Sequence, residues 1–134
     1  MQHTGGCLCG AIRYTIEGPL GALVFCHCSQ CRKAQGTAFA SSVPVAARQF
    51  SLQSGAEKLK CYRATPHKGR YFCADCGSPI YSRIDGADSL RVRAGSFDCP
   101  VDLVPSAHIF VADKASWFEI TDALPRYSGR EPGR

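Results

Sequence analysis

Seven of the nine cysteines fall into three tight clusters. They are Cys7-Leu8-Cys9, Cys26-His27-Cys28-Ser29-Gln30-Cys31, and Cys73-Ala74-Asp75-Cys76-Gly77. Thiolates one or two residues apart are what a tetrahedral zinc ion takes from a folded chain. The pairs Cys7/Cys9 and Cys73/Cys76 together make one closed set of four sulfurs. The trio Cys26, Cys28 and Cys31 leaves one tetrahedral position without a cysteine. A substrate thiol entering there is held as thiolate at neutral pH, where free thiols are mostly protonated. The spacing therefore predicts two zinc ions per chain, the first structural and the second catalytic. An inert second site, closed by His27 or another residue, is the competing reading of the trio. Zinc is preferred to iron on ligand type and redox inertness.

The residues around these clusters carry weaker signals. In extended chain, period two puts Cys7 and Cys9 on one face. Cys73-x-x-Cys76-Gly77 reads as a knuckle whose glycine permits the tight backbone. The two pairs must meet in space, which clamps the start of the chain to its middle. His27 lies between two ligands and, in extended chain, points away from them; it is either a ligand or a pocket residue. His108 sits in the apolar run Ala107-His108-Ile109-Phe110, in the core or in a cleft. Arg70, Arg91 and Arg93 suit substrate carboxylates or, equally, a solvated sheet face. His27, Arg70 and His108 are thus the candidate substrate contacts. Cys61 and Cys99 read as free buried cysteines, His67 as an exposed turn residue, and Trp117, Phe118 and Tyr127 as packing residues.

The elements that position these groups are mostly strands. Ile12, Tyr14 and Ile16 alternate with Arg13, Thr15 and Glu17, a half-buried strand over 10–18. Leu90, Val92 and Ala94 point inward in the same way, with Arg91 and Arg93 outward. Further strands are expected at 20–26, 38–43, 49–53, 58–63, 70–73, 79–84, 89–95 and 107–112, with Pro44 turning the chain. Short strands separated by Gly18-Pro19, Ser54-Gly55, Asp85-Gly86 and Cys99-Pro100 mean an all-β fold. Helical turns are expected at 29–35, capped by Ser29 and ended by Gly36, and near 115–117. A single domain spans 1–134, with a loose tail from about residue 128.

Composition limits the partners. The chain has 134 residues, 45% of them hydrophobic and 20% charged, with a formal net charge of +5. Arg126, Arg130 and Arg134 supply much of that excess near the end. There is no clustered basic stripe with aromatics, so no nucleic-acid footprint, whereas a small anionic substrate fits the charge. No signal peptide opens the chain and no apolar run approaches the ~18 residues of a membrane span. A cytoplasmic location is expected, where thiols stay reduced. Exposed strand edges leave a homodimer open.

These stretches resemble the glutathione-dependent formaldehyde-activating enzyme family, the GFA family. The resemblance is carried by Gly6-Cys7-Leu8-Cys9-Gly10-Ala11-Ile12-Arg13-Tyr14, Cys26-His27-Cys28-Ser29-Gln30-Cys31-Arg32-Lys33, Arg70-Tyr71-Phe72-Cys73-Ala74-Asp75-Cys76-Gly77-Ser78 and Ala94-Gly95-Ser96-Phe97-Asp98. His108-Ile109-Phe110, Lys114, Trp117 and Leu124-Pro125-Arg126-Tyr127 extend it, so that it covers roughly residues 5 to 127. The resemblance implies a β-tent of short antiparallel sheets around zinc. It implies a structural ion on Cys7, Cys9, Cys73 and Cys76 and a catalytic one on Cys26, Cys28 and Cys31. It also implies a carbon–sulfur lyase that joins glutathione or a similar small thiol to formaldehyde or another small aldehyde. The alternative is a non-catalytic zinc module that binds a partner or senses a thiol conjugate. The two differ at the trio's fourth position, which is open and facing a pocket in the enzyme and filled by the protein in the module.

Overall fold

Ile12, Tyr14 and Ile16, the inward set read from the alternation, are buried to 1% exposure or less. They belong to a computed structural model that describes residues 1–133. Its ten strands are β1 (Gln2–Gly6), β2 (Arg13–Glu17), β3 (Leu23–Cys26), β4 (Ala40–Ala46), β5 (Phe50–Ser54), β6 (Leu59–Thr65), β7 (Lys68–Cys73), β8 (Pro79–Ile84), β9 (Ser89–Arg93) and β10 (Pro105–Ile109). One helix, α1 (Ser29–Gln35), and four single 3-10 turns complete the described elements. The chain is all-β, as expected. None of the described helices is long and apolar enough to cross a membrane.

Two open sheets divide the strands. The small sheet runs β1-β2-β5 and the large one β10-β3-β4-β9-β8-β7-β6. Period two gives the large sheet two unlike faces. Val43, Val45, Leu90 and Val92 share one core with Tyr14 and Ile16 of the small sheet and with Ile12 just before β2. Each such side chain, fully buried, contributes roughly 1.5–3 kcal/mol. The other face carries a polar row fixed by register: Arg70 opposite Ser82, Ser82 opposite Arg91, and Ser42 opposite Arg93. Helix α1 and the segment after β10 lie over that row, because Cys31, Phe110, Asp113, Ser82 and Arg93 share one cavity.

That second layer corrects one expectation. Arg91 and Arg93 do leave the apolar core as the alternation requires, but Arg93 is buried and Arg91 only partly exposed. Arg93 is 6% exposed and Arg70 9%, and Arg91 pairs with Glu131 at 3.4 Å. Past residue 128, where loose chain was expected, the Gly129 carbonyl also accepts the Phe110 N–H at 2.9 Å; Arg134 lies outside the described residues.

Other departures have local causes. β1 gave no sequence signal, since Gln2-His3-Thr4-Gly5-Gly6 holds a single strand former, Thr4, followed by two glycines; it is a strand because β2 pairs with it throughout. A Cβ at Gly5 would stand 2.3 Å from Tyr14 Oη and 2.5 Å from the Ser96 carbonyl, so only glycine fits there. β4 runs through Pro44 instead of turning at it. Its pairing with β3 ends at Ser42, so the missing N–H of Pro44 faces no ladder partner. The pairing of β3 with β10 is parallel, against the expectation of antiparallel sheets. β10 returns from far along the chain, and such a long connection permits parallel entry. Trp117 is 72% exposed and not a core residue. Cys61 is exposed on the edge strand β6 and Cys99 only half-buried, so neither is the buried thiol expected.

Candidate metal centre and thiol-lined cavity

The four paired cysteines converge. The sulfurs of Cys7, Cys9, Cys73 and Cys76 all lie within 4.8 Å of one another, with Cys7 to Cys9 at 3.6 Å and Cys9 to Cys73 at 3.8 Å. A tetrahedron with zinc–sulfur bonds of about 2.3 Å has edges of about 3.8 Å, so the donor set and spacing fit zinc. Two glycine turns build the site. Gly10 (φ 84°) and Gly77 (φ 77°) follow the second cysteine of each pair in left-handed conformation. Gly10 donates its N–H to the Cys7 carbonyl and Gly77 to that of Cys73. Cys7 and Cys9 thus meet through a turn and not, as expected, on one face of extended chain. Ile12 N–H points at Cys7 Sγ (3.2 Å), and Ser78 Oγ lies 3.2 Å from Cys76 Sγ. The Ser78 hydroxyl and the backbone N–H groups around it pull the Cys76 thiol down to about 5, which favours the ligating thiolate.

The trio is assembled at the join of β3 and α1. Cys26 ends β3, and Cys28 and Cys31 occupy the cap and first turn of the helix. Cys28 is itself the cap, in place of the expected Ser29: its sulfur accepts the Cys31 N–H at 3.3 Å. Gly36 ends the helix in left-handed conformation, as anticipated. The three sulfurs also lie within 4.8 Å of one another, and among the described residues no fourth His, Cys, Asp or Glu joins the group. The site therefore fits zinc with one position left to something else. Contacts from the Cys26 and Cys28 thiols, and then the Arg70 guanidinium, push the Cys31 thiol strongly down, while Cys26 is pushed up. Arg70 Nη2 lies 3.7 Å from Cys31 Sγ and 3.5 Å from Gln30 Oε1.

The trio opens on a cavity of about 490 Å³, within the usual range of small-molecule sites. Arg70 lines it; His27 and His108 do not. Their rings sit on the other side of β3 and β10, among Phe25, Phe39 and Phe118. His27 Nε2 lies 2.8 Å from His108 Nδ1, and His108 Nε2 is 2.9 Å from an Asp122 oxygen. The Asp122 carboxylate makes His108 donate through Nε2, so His108 Nδ1 accepts the His27 N–H. The His108 contact and the Leu124 N–H hold Asp122 below the usual carboxylate range. Burial, and then the neighbouring His108, lower His27 to about 4, so it stays neutral. Asp122 carried no sequence signal, because only the chain's return beside β10 brings it to His108.

Comparison with known proteins gives a family and a fold. The family described as glutathione-dependent formaldehyde-activating enzyme matches residues 2–113. Proteins of Aspergillus flavus and Aspergillus oryzae, provisionally named glutathione-dependent formaldehyde-activating enzymes, are each 27% identical over 125 residues. Those matches cover 92% of this chain but 57% of either relative, so the chain spans little more than half their length. A Halomonas elongata protein with the same provisional name is 30% identical over 129 residues, covering 90% of this chain and 82% of its own. A crystal structure of a Rhodobacter sphaeroides protein shares the fold, with a TM-score of 0.63 and 24% identity over 76% of this chain and 97% of that one.

Proposed function

The chain belongs to the glutathione-dependent formaldehyde-activating enzyme family, and from that premise we propose that it joins a small thiol, glutathione or similar, to formaldehyde or another small aldehyde. One observation carries the reading: three thiols gathered for one ion, with no fourth protein ligand among the described residues, open on a cavity large enough for a thiol substrate. Cys26, Cys28 and Cys31 would hold the reactive zinc; Cys7, Cys9, Cys73 and Cys76 would hold the structural one. The zinc, when bound, supplies a Lewis acid that favours the thiolate form of an incoming thiol at neutral pH. The chain supplies the rest. Arg70 places a permanent positive charge beside Cys31, which favours negative charge at the trio. The walls of the cavity bring thiol and aldehyde together, replacing a bimolecular encounter by a positioned one.

The balance of the reaction is simple. Sulfur forms a bond to the carbonyl carbon, the carbonyl π electrons move to oxygen, and the proton lost by the thiol ends on the new hydroxyl. The reverse breaks the carbon–sulfur bond, as in a lyase. A partner-binding zinc module would call for a protein ligand in the fourth position and no cleft, and both features are missing among the described residues. The test is hydroxymethyl-thiol formation by chains carrying two zinc ions, followed with glutathione and formaldehyde. A rate above the spontaneous reaction that disappears in Cys28→Ser supports the reading, and no excess rate rejects it for formaldehyde.

A further inference from the structure

Arg70 and Arg93 share the cavity wall beside the trio and are buried to nine-tenths or more. Among the described residues no carboxylate lies within ion-pair distance of either. Arg93 Nη1 donates to Ser42 Oγ, and Arg70 Nη2 meets Gln30 and Cys31. Among the described residues, Arg70 Nη1 and Arg93 Nε find no acceptor. Unpaired buried charge is expensive and persists where a ligand completes it. Lys68, Arg91, Arg130 and Asp113 also line the cavity, and Arg91 pairs with Glu131. A dication on three thiolates carries a net charge of only −1, against +2 on the two guanidinium groups.

We propose that Arg70 and Arg93 form an oxyanion site in the wall of this cavity, which takes the acidic end of a thiol ligand while its sulfur approaches Cys26, Cys28 and Cys31. The planar fork of a guanidinium matches a carboxylate, sulfonate or phosphate. With Arg70 Nη2 at 3.7 Å from Cys31 Sγ, an acid group a few bonds from the sulfur spans both. The two arginines are specificity-determining residues: they select acidic thiols over neutral ones of equal length. The assignment rests on the trio as the reaction centre and names what that centre accepts.

The test uses the zinc-loaded chain and three probes: 3-mercaptopropionate, its neutral amide 3-mercaptopropanamide, and sodium sulfate against sodium chloride at equal ionic strength. Binding is read by calorimetry. The parent is expected to bind the acid at least about tenfold more tightly than the amide, a ratio worth about 1.4 kcal/mol, and sulfate is expected to compete with the acid. Arg93→Met should collapse the ratio towards one without changing the zinc content, and Arg93→Lys should restore part of it. Equal binding of acid and amide by the parent overturns the proposal even if every variant fails to fold. So does an acid preference that survives in both Arg93→Met and Arg70→Met, or sulfate binding without an acid preference. Acid-selective binding without hydroxymethyl-thiol formation overturns the activity and leaves the oxyanion site standing. Turnover with equal use of acid and amide does the reverse.

Discussion

Replacing both Cys73 and Cys76 by serine removes the only thiols that bind the middle of the chain to Cys7 and Cys9. Cys9 and Cys73 lie 64 residues apart, so a zinc ion shared by them would cross-link a stretch of that length. For a loop of that length, the cross-link entropy relation gives about 4.3 kcal/mol at 25 °C. A domain of this kind is stable by about 5–15 kcal/mol. Losing the clamp therefore removes from a third to most of the net stability, before any zinc–sulfur binding energy is counted. With a urea dependence of about 1.5 kcal/mol per molar, the midpoint should fall by about 3 M, or the variant should be insoluble. The assay is urea unfolding of Cys73→Ser/Cys76→Ser, beside the parent with and without a strong chelator. The chelated parent should fall by a similar amount. A soluble double variant that unfolds at the parent's midpoint would refute the clamp, because the two sheets would then hold the N-terminus without it.

Two smaller changes probe how the rest is held. Tyr14 Oη lies 2.6 Å from Ser96 Oγ, which donates to the Arg93 carbonyl, so Tyr14→Phe should cost about 1 kcal/mol in urea unfolding with zinc content unchanged. Asp122 is lowered in the folded chain from its ordinary 3.8. Its contribution is therefore present above the unfolded value and lost as pH falls through the folded one. The parent's urea midpoint should then drop more than that of Asp122→Asn between about pH 5 and pH 3; equal drops would show that the carboxylate is not tied to His108.

The cysteine clusters were legible because ligand spacing is local: a pair one or two residues apart can hardly serve two ions, and Gly77 marks the turn of the second pair, whereas the turn at Gly10 was not legible because Cys7-x-Cys9 suits extended chain equally well. The strand expected at 89–95 was legible for the same local reason, since Leu90, Val92 and Ala94 alternate with Arg91 and Arg93; it is observed over Ser89–Arg93. What the sequence could not show was set by distant chain. Arg93 alternates outward as expected, yet only helix α1 and the segment after β10 convert that outward face into a cavity wall. Gln2-His3-Thr4-Gly5-Gly6 is a strand by virtue of its partner β2. The line from His27 through His108 to Asp122 joins three segments that have no common pattern. Pro44 read as a turn because a proline lacks an N–H, and the position where the pairing of β4 with β3 ends is invisible in one chain's letters.

Two thiol sites with different duties are proposed, and metal stoichiometry tests that division most directly. Elemental analysis of the parent and of Cys28→Ser, each checked by circular dichroism and urea unfolding, is the measurement. In the variant, a serine oxygen can still accept the Cys31 N–H and cap α1, so the fold does not depend on the sulfur. Two zinc ions in the parent and one in a folded Cys28→Ser are expected. A parent that holds one ion or none, or a variant that keeps both or unfolds with the loss of both, contradicts the division between a structural site and a reactive one.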